Sequence, residues 1–197
     1  MPVSYMEINL NALRHNLRVI RQHLPKEVNV LAVVKANAYG HGAVETLRIA
    51  MEEGYTAAAV ARVEEGAKLR EAGFTCPIYV LGLPLPEDML MGVKYDLTLP
   101  VDDTVDLDAF EDIAKGAGKT VEVMMPIDTG MNRIGTHPED VKPFLKKLAG
   151  YPHLHLHGTW THMATADCKD KSAALKQLDR FDEAIAQMPV TDDFVIS

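Results

Sequence analysis

Residues 28–42, VNVLAVVKANAYGHG, set the reading of the whole chain. An apolar, β-branched run ends on Lys35 and passes at once into a tyrosine, a histidine and two glycines, the pattern of a buried strand giving way to a turn. Such a strand reads as buried on both faces. A lysine at its end must either extend to water or act as a neutral amine, because desolvation disfavours the ammonium and frees a nucleophile for carbonyl carbon. Taken alone, Lys35 reads as a strand cap in solvent, since charged residues sit outside.

Working outward, six further runs resemble the first: TAAAVAR (56–62), CPIYVLGL (76–83), YDLTLPV (95–101), TVEVMMPID (120–128), LHLHGTWTH (154–162) and DFVIS (193–197). Helical patterns alternate with them, including GAVETLRIAMEEG (42–54), RVEEGAKLREAG (62–73), HPEDVKPFLKKLAG (137–150) and SAALKQLDRFDEAIAQM (172–188), with Gly or Pro at their ends. The segment NALRHNLRVIRQHL (11–24) adds a helix ahead of the first strand, with Leu13, Leu17, Ile20 and Leu24 on one face for packing outside the sheet. This alternation predicts an α/β fold with a parallel sheet. Seven strands suit either a (β/α)8 barrel, TIM-type, lacking its last unit, or an open doubly wound sheet.

Composition narrows the function classes. A chain of 197 residues that is 47% hydrophobic and 24% charged can bury a sizeable core as a single domain spanning 1–197. The 20 basic and 28 acidic residues leave a net charge of −8 with no Lys/Arg cluster, which argues against a nucleic-acid partner. No apolar run approaches the ~20 residues that span a bilayer, and the start MPVSYMEINL lacks the features of a signal peptide, so the expectation is a cytoplasmic protein with no membrane partner. Cys76 and Cys168 lie far apart and read as reduced thiols.

In either architecture, function gathers where strands end. There the sequence places Lys35, Asn37, Tyr39 and His41 after the first strand, Asp128, Thr129, Asn132 and Arg133 in IDTGMNRIG after the fifth, and Thr161, His162 and Asp167 in THMATAD after the sixth. Arg133 follows a turn whose glycines, 130 and 135, let backbone pass close to a ligand, and a guanidinium there suits phosphate or phenolate oxygen. Tyr39 offers a hydroxyl for a phosphate. His153, His155 and His157 recur at period two, a spacing for metal ligation, yet no carboxylate or cysteine is placed in sequence to complete a site and no metal is expected. His162 falls on the other parity, with Leu154, Leu156, Gly158 and Trp160, and is the better site residue.

VVKANAYGHG (33–42), DTGMNRIG (128–135) and THMATAD (161–167), in this order and spacing, resemble the alanine racemases, the barrel-fold pyridoxal-phosphate enzymes. The likeness extends through EINLNALRHNL, VARVEEGAKLREAG and the QLDRF stretch, Gln177 to Phe181. It implies pyridoxal 5'-phosphate as cofactor, an amino-acid substrate, and interconversion of L- and D-alanine that supplies D-alanine for peptidoglycan. It assigns Lys35 the covalent link to the cofactor and the role of base on one face of the substrate α-carbon. Tyr39 would then hold the phosphate, Arg133 would meet the phenolic oxygen and the substrate side of the ring, and His162 would lie beside the ring.

The resemblance also implies a homodimer, a chain nearly twice as long, and a second base, a tyrosine from a C-terminal β-domain of the other subunit. That domain, the eighth strand and most of the phosphate loop are expected beyond Ser197, with SYMEINL (4–10) as a strand beside the β-domain. A chain ending here is expected to be a truncated barrel with little racemase activity. Many relatives carry a lysine two residues before the aspartate of DTGM, whose carbamate is thought to position the arginine; Pro126 stands there in this sequence. Two other readings are a non-catalytic pyridoxal-phosphate homeostasis protein, which shares the barrel and strand-end lysine, and a serine racemase.

Overall fold

The computed structural model describes residues 4–197. Packing divides the chain into two compact units, Met1–Leu81 and Gly82–Ser197, each built on parallel strands.

The first unit runs α1 (Leu10–His23), β1 (Leu31–Val33), a helical turn α2 (Lys35–Tyr39), α3 (Ala43–Glu52), β2 (Ala57–Val60), α4 (Val63–Glu71) and β3 (Ile78–Val80). Its sheet has the order β1-β2-β3, with Leu31 opposite Ala57 and Ala58 opposite Ile78. Parallel neighbours need crossovers, and α3 and α4 supply them. Every residue of β2 and β3 is buried. β1 differs: Ala32 and Val34 are buried, but Val33 is 49% exposed on the face it shares with the half-buried Lys35. The expectation of burial on both faces therefore fails at β1, which lies at the edge of its sheet.

α1 begins where Asn9 Oδ1 accepts the N–H groups of Asn11 and Ala12, both at 3.0 Å, satisfying two of the orphan donors of a helix start. Its apolar stripe is only partly covered. Leu13 and Leu17 are half-buried, while Ile20 and Leu24 are exposed. Charge does much of the docking: Arg14 reaches Glu52 and Glu53, Arg18 grips Glu53 at 2.8 and 2.9 Å, and the Tyr55 hydroxyl donates to Leu17 O at 3.3 Å. Residues 4–9, read as an opening strand, form none.

The second unit runs α5 (Pro86–Lys94), β4 (Leu99–Pro100), α6 (Leu107–Gly116), β5 (Val121–Ile127), a 3-10 turn (Pro138–Asp140), α7 (Val141–Leu148), β6 (Leu154–Thr161), α8 (Ser172–Ile185) and β7 (Val195–Ile196). The sheet order β4-β5-β6-β7 is again parallel and sequential. Helices α5 and α6 lie where periodicity assigned none. Local caps mark both: Asp88 takes the Leu85 N–H and Asp106 takes the Ala109 N–H, each at 3.0 Å.

The β5–β6 register shifts between Val123 and Met124, so that Leu156 faces Val123 and Gly158 faces Met124, leaving His157 as the extra residue. A bulge breaks the two-residue alternation. His162 therefore does not share a face with Leu154 and Leu156, as uninterrupted parity would have it. Carboxylates also stand beside the histidines, contrary to the sequence expectation: His153 meets Glu111 at 2.6 Å, while His155 and His157 meet Glu122 at 2.8 and 3.4 Å. Among the described residues no three His, Cys, Asp or Glu side chains gather as a metal site. Nor is any described helix long and apolar enough to cross a membrane.

The Arg18 and Arg14 guanidiniums hold the Glu53 carboxyl down to about 2, from an ordinary 4.5. A carboxyl depressed in this way contributes stability that is fully present above pH 4.5 and lost as the pH falls through about 2. We expect hydrogen exchange of the α1 amides to accelerate across that window. Glu53→Gln should raise their exchange several-fold at neutral pH and flatten the pH profile; equal profiles for the two proteins would contradict charge-held docking.

Candidate active site

The backbone that carries Lys35 is unusual. Ala36, Asn37, Ala38 and Tyr39 have φ of 51°, 54°, 51° and 51°, a complete left-handed turn made of L-residues, and Gly40 continues it at φ 94°. Crowding between Cβ and the carbonyl costs about 1–2 kcal/mol for each such residue. Strain of this size persists where the surroundings over-determine it, and that is commonest at functional sites.

The surroundings here are explicit. Val34 is tied into the sheet through its N–H to Ala59 O at 2.9 Å, and its carbonyl accepts Ala38 N–H at 2.9 Å. The Ala36 N–H donates to Glu65 Oε1 at 2.6 Å. At the far end, Asn37 O accepts from Gly40 and Gly42, and Asn37 Oδ1 accepts the first amide of α3, Ala43, at 2.9 Å. Lys35 thus leaves a backbone pinned on both sides. Tyr39 projects from the last left-handed residue, 70% exposed, with no hydrogen-bond partner for its hydroxyl among the described residues.

In the second unit the end of β5 folds back on itself. Thr136 donates to Pro126 O at 2.9 Å and accepts from Asp128 N–H at 3.0 Å, occupying the side of β5 that β4 has already left. Even-numbered residues of β5 face that side, as Met124 O does in accepting Val101 N–H. A proline is tolerated there because no ladder bond needs its N–H. Asp128 is buried and caps the turn: Oδ1 accepts the amides of Gly130 and Asn132, both at 2.9 Å. A Cβ on Gly135 would lie 2.8 Å from Pro126 O, and one on Gly130 would meet Gln177. Close approach to Pro126 demands Gly135, whereas Gly130 is favoured by its φ of 142°. Arg133 projects from this turn, exposed and without a hydrogen bond or ion pair among the described residues. It lines a cavity of about 350 Å³ together with Leu83, Asp102, Thr104, Asp128 and His137.

The ends of β5 and β6 are locked by α8. Thr161 Oγ1 donates to Ile127 O at 2.8 Å, so its contact with Thr129 Oγ1, also 2.8 Å, must use the Thr129 proton. Thr129 in turn accepts from Gln177 Nε2 at 2.9 Å. The same amide donates to His162 O at 3.0 Å and accepts the Ala164 N–H at 2.9 Å. Gln177 is buried, with all of these groups satisfied through it. It fixes the backbone from which the exposed His162 ring projects.

Lys35 and Tyr39 accordingly share one turn of the first unit, while Arg133 and the His162 backbone are positioned separately by β5, β6 and α8 in the second. The chain matches, over residues 8–195, the family described as alanine racemase, N-terminal domain. It belongs to that family. It is 39% identical over 178 residues to an alanine racemase of Methanococcus maripaludis, covering 90% of this chain and 48% of the relative. To alanine racemase 1 of Bacillus subtilis it is 37% identical over 189 residues, covering 95% of this chain and 48% of the relative. Among solved structures, the alanine racemase of Clostridium difficile 630 superposes with a TM-score of 0.89 at 34% identity, over 96% of this chain and 51% of that one. A histidine racemase from Leuconostoc mesenteroides gives 0.85 at 30%, over 96% and 51%. The fold is thus the N-terminal barrel part of this family, an incomplete (β/α)8 barrel. The chain spans about half the length of the curated relatives it matches.

Glu65 and the linking role of Gln177 were not found from sequence. The signal for the first was a glutamate three residues into a helix that follows a strand directly; for the second there was none, because a buried amide is recognised only by what surrounds it. Gln177→Leu removes three hydrogen bonds, and at about 1 kcal/mol for each lost bond we expect a loss of roughly 3 kcal/mol in denaturant unfolding. Hydrogen exchange at Ala164 should rise in parallel; unchanged exchange there would dismiss Gln177 as the lock.

Proposed function

We propose that this protein racemises alanine with pyridoxal 5'-phosphate, and that residues 1–197 form the cofactor-binding barrel portion of the enzyme. The observation that carries this reading is Lys35 itself, a half-buried amine at a strand end on a strained and multiply pinned turn, in a chain of the alanine racemase family. The donor set suits the group: a primary amine for an aldehyde carbon, and, for anionic oxygens, a phenol and a guanidinium without partners among the described residues. When bound, the cofactor supplies an electron sink that lowers the cost of removing the substrate's α-proton.

The chain's own residues divide the remaining work. Lys35 would hold the cofactor at its carbonyl carbon and would take or return the substrate's proton at Cα on one face. Tyr39 offers its hydroxyl to the phosphate. Arg133 would donate to the ring's phenolic oxygen and serve the substrate; with Pro126 at the place where many relatives carry lysine, the Asp128-capped turn is what positions its backbone. His162 would border the ring, on a backbone held by Gln177. Inversion of configuration needs a proton donor on the opposite face as well, the role that the resemblance gives to a second subunit. On this reading the enzyme is a cytoplasmic homodimer that supplies D-alanine for peptidoglycan.

Chiral analysis of L- and D-alanine after incubation of the full-length protein with pyridoxal phosphate tests the reading. Interconversion from both directions is expected, reduced by at least about 10²–10⁴-fold in Lys35→Ala, the usual range for loss of a proton-transfer group. Serine and histidine enantiomers belong in the same assay. Faster turnover of either would reassign the substrate, and cofactor binding with no racemisation of any amino acid would favour a carrier.

A further inference from the structure

We infer that Glu65 is a positioning residue for Lys35, a role that rests on the cofactor reading above. A glutamate at the third position of a helix ordinarily reaches back to its own cap, and one oxygen does so: Oε2 accepts the N–H groups of Ala61 at 2.8 Å and Arg62 at 3.1 Å. The other oxygen does something the helix does not need. Oε1 crosses to a segment 29 residues earlier and accepts the Ala36 N–H at 2.6 Å. One half-buried carboxylate therefore joins three backbone amides: the two that end β2 and open α4, and the one directly after Lys35.

This placement matters because of the conformation it fixes. Ala36 is the first of the four left-handed residues, at φ 51°, and its N–H lies in the peptide plane that joins Lys35 to the strained turn. Release of this amide frees the Lys35–Ala36 peptide plane to turn, and with it the direction of Lys35 relative to Tyr39 and the rest of the turn. Asn37 secures the other end of the turn on α3, so Glu65 is the side chain that ties its beginning to the rigid, fully buried β2. The short, charge-assisted contact makes it the stronger of the two clamps. Glu65 touches neither cofactor nor substrate in this role; it acts through the backbone that aims the amine.

Two variants test it in the full-length protein. Glu65→Asp keeps the charge but is one methylene shorter than the span to Ala36 requires. Glu65→Gln keeps the length and loses the charge. Without cofactor, both should speed hydrogen exchange of the Ala36 amide by about tenfold or more, the size of one charge-assisted hydrogen bond. With pyridoxal phosphate, borohydride-fixed attachment at Lys35, quantified by peptide mass spectrometry, should slow at least about fivefold, and the circular dichroism band of the bound chromophore should shrink. If the parent protein takes up no pyridoxal phosphate at Lys35, the cofactor reading fails. If it does, and whichever variant folds matches it within about twofold in both Ala36 exchange and Lys35 attachment, Glu65 is only a helix cap and the inference is overturned.

Discussion

A left-handed turn of L-residues is a costly conformation, and in this protein it stands directly after the lysine on which its chemistry depends. Four consecutive positive φ values at Ala36–Tyr39 are held against relaxation by the β1–β2 ladder before them, by Glu65 at their start and by Asn37 at their end. A flexible loop would give the amine many directions. The strained turn holds the backbone from which Lys35 and Tyr39 project in one conformation. Positioning of this kind reduces the entropy lost when cofactor and substrate are aligned.

The second unit solves a similar problem without comparable strain at so many positions. The β5 end is closed by Thr136 taking over the hydrogen bonds that β4 leaves, and Asp128 spends its carboxylate on the turn's amides. The consequence is chemical as well as structural. Asp128 Oδ1 is committed to the turn's amides, whereas Arg133, on the same turn, has no partner for its guanidinium among the described residues. Pro126 fits this arrangement because its missing N–H falls where no partner is waiting. Gln177 then couples the β5 and β6 ends through hydrogen bonds that saturate its amide.

Much of the fold was legible because parallel strands are short apolar runs separated by amphipathic helices, and each of the seven runs contains a strand of the structure. The exceptions have physical causes. Helices α5 and α6 are short and marked chiefly by capping carboxylates, a signal weaker than a long apolar stripe. The bulge at His157 cannot be seen in one strand, since it is a property of the register between two. Burial of β1 was overestimated because its composition matches that of an interior strand while its position is an edge. At the site, residue types pointed to Lys35, Tyr39, Arg133 and His162, but the left-handed turn left no trace beyond Asn37 and the two glycines: alanine and tyrosine at φ near 50° are stabilised by partners distant in sequence, Glu65 above all.

The placement of Lys35 and Tyr39 on one rigid turn depends on the handedness of residues 36–39. Backbone torsions of residues 36–39 in solution, from NMR scalar couplings and intraresidue amide–Hα distances, address that point directly. Positive φ at all four residues, near the 51–54° described above, with a slowly exchanging Ala36 amide, is the predicted result. Negative or averaged φ at these positions, with Ala36 exchanging as fast as an exposed loop amide, would contradict it.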